Sequence, residues 1–417
     1  MNKLLNKKKD VKTFNLLDHM KQIFSFLIIL PIAALAILTI SCKKANDNDW
    51  VKISINRSSD QLLAAAETYK DSSKNPRTLA NGTVKMVGAK DWTSGFFPGS
   101  LWLMYELTHN EKFKIEAQYY TSLLESAQYD KDTHDLGFIL YCSYGNGLRL
   151  TADSSYRQVL LNGAKSLMTR YNDKIGLIRS WDFNKDIWQY PVIIDNMMNL
   201  EFLLWASNVS GDTSMKTACI SHADKTLANH YRSDNSCFHM VDYDTITFTP
   251  RLKQTYQGYS DNSSWARGQA WGLYSYTMMY RETKDKKYLE QAQKNAAFII
   301  NHPRLPEDKI PYWDFDAPNI PSEPRDASAA AIIASALIEL SLYVPESNRY
   351  FATAETILKN LSSDKYLSVK GENGFFILNH STGDWPRKSE IDTPLNYADY
   401  YFIEALGRYM KVKGLIK

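Results

Sequence analysis

Asn262-Ser263-Ser264-Trp265-Ala266-Arg267-Gly268-Gln269-Ala270-Trp271-Gly272, running on into Leu273-Tyr274-Ser275-Tyr276-Thr277-Met278-Met279, is the stretch that decides the fold. Arg267, Trp271 and Tyr274 recur at i, i+4 and i+7, which is helical spacing, and Leu273, Met278 and Met279 extend the apolar set. Ser263 or Ser264 is placed to cap the helix, since a hydroxyl there can accept from a backbone N–H that has no partner inside the helix. The stripe then holds a fixed charge beside two ring faces. Such a face suits a ligand with flat sugar rings and a carboxylate. The structural alternative is a half-buried aromatic helix whose arginine reaches out to solvent.

The same spacing recurs through the chain at Leu101, Trp102 and Tyr105, at Met197, Met198, Phe202 and Trp205, and at Ile332, Ile333, Leu337 and Leu340. Asn208-Val209-Ser210-Gly211-Asp212, Thr283-Lys284-Asp285 and Pro345-Glu346-Ser347 break these runs. Strand-like alternation is confined to short pieces such as Phe238-His239-Met240-Val241. The ~370 residues that follow the N-terminal segment suffice for about a dozen helices paired as hairpins of roughly 60 residues, which suits an all-α toroid of helical hairpins. Met197 to Ala206 is apolar nearly all round, as an inner helix buried on both sides must be. The run Ala327-Ser328-Ala329-Ala330-Ala331 permits close helix approach. Polar and aromatic residues gather at helix starts and in the loops before them, so one rim of the ring is expected to carry the site.

With 44% hydrophobic and 23% charged residues in 417, the chain is globular, and its net charge of +3 gives no support to nucleic-acid binding. Much of that excess comes from Lys3, Lys7, Lys8, Lys9 and Lys12, ahead of the apolar run Ile23 to Ile40. That run follows Lys21-Gln22 and ends at Ser41-Cys42-Lys43-Lys44, and it reads as a signal segment over residues 1–41. The junction resembles a bacterial lipoprotein processing site, with Cys42 as the lipidated first residue of the mature chain, a linker over 42–50 and one catalytic domain over 51–417. An uncleaved transmembrane anchor is the alternative. Met20-Lys21 would begin a leader of more usual length, which points to translation from Met20. Either way the body is expected outside the cytoplasm, in the periplasm or at the outer membrane. Cys142, Cys219 and Cys237 leave an odd number with no metal-ligand spacing, so no disulfide framework is expected. No clustered His/Cys/Asp set and no Gly-rich phosphate loop supports a metal or organic cofactor.

Two aspartates stand out by their surroundings. Asp195 enters an apolar helix in Val192-Ile193-Ile194-Asp195-Asn196-Met197-Met198-Asn199-Leu200, where burial would raise its pKa. Asp135, in Thr133-His134-Asp135-Leu136-Gly137-Phe138, opens the apolar Ile139-Leu140-Tyr141 run. Brought together, the two carboxyls would push one of the pair toward the protonated form, and an acid held neutral near pH 7 can deliver a proton. Taken singly, each could equally be a helix cap.

At these residues the chain resembles the unsaturated glucuronyl hydrolases of glycoside hydrolase family 88. The matching segments are Asp91-Trp92-Thr93-Ser94-Gly95-Phe96-Phe97-Pro98-Gly99, His134-Asp135-Leu136-Gly137-Phe138, Asp195-Asn196-Met197-Met198-Asn199-Leu200 and Trp265 to Gly272. Arg325-Asp326-Ala327-Ser328-Ala329-Ala330-Ala331 and Asn396-Tyr397-Ala398-Asp399-Tyr400-Tyr401 complete the set, in order, from about Trp50 to the C-terminus. The resemblance implies an (α/α)6 barrel that removes a terminal 4,5-unsaturated uronic acid from oligosaccharides left by polysaccharide lyases. It implies that Asp195 protonates C4 of the vinyl ether and then draws a proton from the water that attacks C5, with Asp135 stabilising the charge that develops. It further implies that His239 and Gln257 orient water and substrate, that Trp92, Trp181, Trp265 and Trp271 stack on sugar rings, and that Arg267 meets a hydroxyl or the uronate carboxylate. His134 and Gln269 lie in the matching segments and join the substrate-binding set. Asn379 to Lys388 occupies the stretch where family members contact the sugar beyond the cleavage point, which brings in Ser381 and sets Arg387 and Lys388 against a sulfate or carboxylate. An ordinary solvated loop is the alternative there. Within enzymes the rival reading is an unsaturated rhamnogalacturonyl hydrolase acting on pectin fragments, and outside them a non-catalytic glycan-binding surface lipoprotein. The expected partners are unsaturated oligosaccharides and, through Cys42, a membrane.

Overall fold

The computed structural model describes residues 49–345 and 347–416. The signal segment, the Met20 start and Cys42 lie outside the described residues. Val51–Lys417 form one unit by their contacts. Twelve α-helices occur among the described residues. The first six are α1 (Asp49–Tyr69), α2 (Phe96–Thr108), α3 (Glu111–Ser122), α4 (Asn146–Thr151), α5 (Ser154–Met168) and α6 (Leu200–Ser210). The others are α7 (Thr213–His230), α8 (Ala266–Thr283), α9 (Lys286–Asn301), α10 (Ala327–Ser341), α11 (Ser347–Leu361) and α12 (Asn396–Val412). A π-helical run, Gly137–Gly145, leads into α4, and a 3-10 turn, Ile194–Asn199, leads into α6.

The even-numbered helices form the inner ring, neighbour on neighbour except that the π-helical run, in place of α4, packs on α6, and α12 returns to α2 and closes it. The odd-numbered helices lie outside, making an (α/α)6 barrel. Burial separates the two layers. Every residue of α10 is buried, whereas α9 buries only Tyr288, Gln291, Ala292, Asn295, Ala296 and Ile299, one stripe at helical spacing.

Four of the inner-to-outer links share one sequence pattern, a hydroxyl residue, a left-handed residue and then Asn or Asp. They are Thr108-His109-Asn110, Thr151-Ala152-Asp153, Ser210-Gly211-Asp212 and Thr283-Lys284-Asp285, with the central residue at φ 52°, 57°, 76° and 60°. In each, the backbone N–H of the third residue donates to the hydroxyl of the first, at 3.2–3.3 Å. The carboxyl or amide of the third residue caps the outer helix, accepting from a backbone N–H at 2.9–3.1 Å. One inner helix is thus closed and the next outer helix opened within two residues, which forces an antiparallel hairpin. Because every inner helix follows an outer one, all inner helices start at the same rim.

Short antiparallel strands decorate that rim. β1 (Asn75–Ala80) pairs with β2 (Thr83–Val87), and β3 (Tyr171–Asn172) pairs with β4 (Leu177–Ile178). A three-stranded sheet joins β5 (Pro191–Ile193), β6 (Met240–Tyr243) and β7 (Pro250–Gln254). The strand expected around 238–241 begins at Met240, and the others are too short to show alternation in the sequence. The serine cap expected for α8 is not formed. Trp265 is the N-cap residue with no side-chain bond, because the Ser263 hydroxyl is taken by Asp314 (2.7 Å) and by the Ser260 carbonyl (2.8 Å). The Ala266 N–H donates instead to the Trp313 carbonyl at 3.1 Å.

Candidate active site

Two loops must meet for the aspartates to meet, and Asn199 joins them. Its Oδ1 accepts from the backbone N–H of Gly137 (2.8 Å) and of Phe138 (3.2 Å), which pins the start of the π-helical run to the foot of α6. A Cβ on Gly137 would lie 2.6 Å from that same oxygen, so the approach requires glycine. Asp135 stands two residues before Gly137 and Asp195 four residues before Asn199, so the bond carries both carboxyls to one place.

Both carboxyls are pushed up to about 7, chiefly by burial. Asp135 is raised further by the charge of Asp91, opposed by the Thr133 hydroxyl, which donates at 3.1 Å, and by Arg170. Asp195 is held down by Arg267 and raised by Asp135 itself. The two therefore titrate as a coupled pair, one retaining a proton when the other has lost its own. The Trp271 indole N–H also works against the rise at Asp195, although no hydrogen bond of ordinary geometry joins them.

Asp195 Oδ2 is buried without a hydrogen-bond partner, and so is His239 Nε2, which faces it at 3.8 Å. His239 stands immediately before β6, while Asp195 follows β5, and the pairing of Ile193 with Met240 sets them side by side. Nδ1 of His239 accepts from the backbone N–H of Tyr256 (2.8 Å) and of Gln257 (3.3 Å). An acceptor at Nδ1 carries no proton, so the neutral ring must bear its hydrogen on Nε2. Burial, together with the charges of Arg267 and Arg387, lowers this histidine well below its ordinary pKa, which keeps the ring neutral. A donor and a carboxyl thus confront each other across a gap too wide for a direct bond.

Comparison with known proteins assigns the chain to a family over most of its length. Residues 65–402 match the model of Glycosyl Hydrolase Family 88. The chain belongs to this family. An unsaturated glucuronyl hydrolase of Formosa agariphila is 48% identical over 385 residues, covering 90% of this chain and 96% of that protein. An unsaturated chondroitin disaccharide hydrolase of Streptococcus agalactiae is 32% identical, covering 87% and 92%. The crystal structure of an unsaturated glucuronyl hydrolase specific for heparin superposes with a TM-score of 0.86 at 54% identity, covering 88% of this chain and 98% of that one. Family 88 membership makes the protein a glycoside hydrolase.

Around the two carboxyls, the structure places the other expected residues as follows. Trp92 and Trp181 are half-buried rings at the cleft. Trp92 leans on Tyr397 at 4.9 Å, and Trp181 stacks on Phe183 at 5.0 Å within a cluster that includes Trp188 and Tyr256. Trp265 lies between the His239 ring (4.8 Å) and the Arg267 guanidinium (4.6 Å). His134 Nε2 sits 3.4 Å from Asp135, and burial holds its pKa down to about 3. The Gln257 amide donates to the Gly383 carbonyl at 3.2 Å, and the buried Ser381 hydroxyl has no partner. Lys388 is exposed on the loop beyond, whereas Arg387 lies over the Tyr256 ring at 3.6 Å and pairs with Asp384.

Three expectations need correction. Trp271 is fully buried against Phe138 and Tyr401, so it backs the site and offers no face to a sugar. Gln269 spends its amide on the backbone of Cys237, accepting at 2.8 Å and donating at 3.1 Å, and so braces the chain leading to His239. Arg267 is 1% exposed and ties three elements together: it bonds Asp326 (2.9 Å), the N-cap of α10, and the carbonyls of Thr382 and Gly383 (2.6 Å each). Its charge reaches Asp195 while its terminal nitrogens serve the protein. Sequence reasoning passed over Asp326 and Asp91, although both stand in the matching segments, because nothing in an isolated Arg or Asp announces its partner.

Burial of the pair has a consequence for stability. The unfolded chain ionises Asp195 near pH ~4, while the folded chain holds the proton to about 7. The carboxyl therefore weighs against the folded state increasingly as pH rises between those values, and the penalty is absent below them. Asp195→Asn should raise Tm over the parent by a few degrees at about pH 8 and by much less at about pH 4.5. A gain that stays constant across that range would contradict the assignment.

Proposed function

We propose that the protein removes a terminal 4,5-unsaturated uronic acid from polysaccharide-lyase products by hydrating the vinyl ether double bond, with Asp195 as general acid and then general base. The carrying observation is the buried, unpaired Asp195 Oδ2 facing the unpaired His239 Nε2 at 3.8 Å. A raised pKa keeps a proton on Asp195 near neutrality, available for C4. Protonation leaves positive charge shared between C5 and the ring oxygen, and an ionised Asp135 stabilises it. Water then adds to C5 and gives a proton back to Asp195. The gap between the two residues suits that water, which would accept from Nε2–H and donate to Oδ2, leaving a lone pair for C5. The resulting hemiketal opens to a keto sugar and the partner sugar leaves. This differs from the usual glycosidase pair, which attacks C1.

Relatives support glycosaminoglycan-type substrates. The 54% identity to a hydrolase specific for heparin, set against 32% to a chondroitin disaccharide hydrolase, favours heparin-derived disaccharides as the first to be tried. Loss of the ultraviolet absorbance of the conjugated double bond reports turnover. Asp195→Asn should abolish that loss with the helical circular dichroism unchanged, and retained activity would remove Asp195 from its role. Lys388, exposed where the sugar beyond the cleavage point is expected, is proposed to meet a sulfate there. Lys388→Ala should weaken turnover of sulfated disaccharides several-fold and spare unsulfated ones; equal losses on both would end that assignment. The leader supports an exported, lipid-anchored enzyme, and mass spectrometry of the mature protein should find a lipid-modified Cys42 at its N-terminus, a result that an intact leader would overturn.

A further inference from the structure

Arg77, on β1, makes contacts that the reaction described above does not use. Its guanidinium bonds Glu390 through two nitrogens, Nε to Oε1 at 2.6 Å and Nη2 to Oε2 at 2.9 Å, and reaches Asp91 Oδ2 through the third at 2.8 Å. The side chains are largely out of water, at 16% exposure for Arg77, 7% for Glu390 and 21% for Asp91. These partners belong to neighbouring segments of the rim, the turn before α2 and the loop before α12. Asp91 directly precedes Trp92, and its other oxygen accepts from the backbone N–H (2.9 Å) and hydroxyl (2.7 Å) of Thr93, fixing the turn that presents the indole. Glu390 closes the loop that runs back to Ser381, its carbonyl accepting from the Gly383 N–H at 2.6 Å. The Gly383 carbonyl in turn receives Arg267 and Gln257. One guanidinium therefore locks the turn that presents Trp92 to the adjacent loop that runs from Ser381 through Lys388, in a bidentate geometry that lysine cannot reproduce.

Asp91 also acts on Asp135, opposing its ionisation. The charged and titratable groups facing Asp135 are His134 on its own segment, Asp91 from the turn before α2, Arg170 from beyond the end of α5, and Asp195 from the turn before α6. Arg170 is shared with Asp182 at 2.8 Å. Arg77 is the cation bonded to Asp91, and it is shared in turn with Glu390.

We infer that Arg77 is a positioning residue that clamps these two neighbouring segments of the cleft rim together and offsets the charge of Asp91 beside Asp135. The inference rests on Asp135 and Asp195 being the working pair. Without Arg77, the full charge of Asp91 discourages ionisation of the pair, so both keep their protons to higher pH. Without the Asp91 charge, the pair ionises more readily.

The test is the pH profile of kcat/KM on an unsaturated heparin-lyase disaccharide, with Tm recorded for each variant. Arg77→Met should move both limbs of the profile upward by roughly half a pH unit and Asp91→Asn should move them downward by a similar amount. The double variant should return toward the parent profile. Glu390→Gln weakens the clamp and leaves Asp91 in place, so it should raise KM several-fold with the profile unmoved. Arg77→Lys should keep the profile but not the parent KM. Profiles of Arg77→Met and Asp91→Asn that superpose on the parent, whatever their Tm, overturn the inference. If Arg77→Met does not fold, Asp91→Asn and Glu390→Gln decide it by the same criteria. A parent enzyme without turnover, or an active Asp195→Asn, would instead overturn the working pair.

Discussion

Two carboxyl groups withheld from water at one rim of the barrel are the constraint from which the rest of the site follows. A buried ionised carboxylate is expensive, so the pair shares a proton, and a shared proton near neutral pH is what alkene protonation requires. The surroundings keep that balance. Arg267 is close enough to lower Asp195 but is anchored by Asp326 and two carbonyls, so it cannot swing in to form a full ion pair. His239 contributes a hydrogen-bond donor without contributing a charge, since its Nδ1 is occupied by backbone N–H groups and its ring is kept neutral. A charged imidazolium in the same place would drag the Asp195 carboxyl down and remove its proton.

The fold makes this arrangement possible by placing six helix starts at one end. The hydroxyl, left-handed residue and Asn/Asp links return the chain after each of four inner helices, so the inner starts face one rim and the loops before them converge. Stability comes from elsewhere. The fully buried α10, packed on its neighbours, and the caps of the outer helices supply ordinary packing and hydrogen bonding, which lets the rim hold unsatisfied groups such as Asp195 Oδ2 and His239 Nε2.

Much of this was legible in the sequence because it depends on local pattern. Helical periodicity and breakers gave the helix number and the hairpin arrangement, and an acid beside an apolar run marked Asp195 and Asp135. The repeated link was equally visible at Thr108-His109-Asn110 and Thr151-Ala152-Asp153, but only two of its four copies registered, as breakers, because a three-residue pattern separated by tens of residues is faint without the geometry that unites it. Long-range pairings lay out of reach. Arg77 and Glu390 stand 313 residues apart, and Arg267 and Gly383 116 apart, and no spacing rule connects them. Short strands such as β5 were hidden for another reason: three residues cannot display alternation.

The stripe on α8 shows where periodicity misleads. Arg267, Trp271 and Tyr274 share a face, as their spacing requires, but seven residues of helix rise by about 10 Å. They therefore occupy different depths of the barrel. Arg267 stands at the rim, Trp271 seals the floor of the site, and Tyr274 belongs to the opposite end, where its hydroxyl contacts Glu404 at 3.0 Å and Arg408 at 2.9 Å. There Arg281 and Arg408 both bond Glu339, and a cavity of about 480 Å³ opens among Glu106, Arg149, Glu201 and Glu404. Its cations are paired with its carboxylates, Arg149 and Lys411 with Glu106 and Arg408 with Glu404, while Glu201 is taken by Arg281 from outside the lining, so the charges tie this end of the barrel together. A common face on one helix established direction, and only the ring of neighbouring helices could establish depth, so the same three residues serve an organising post, a floor and a distant ionic seal.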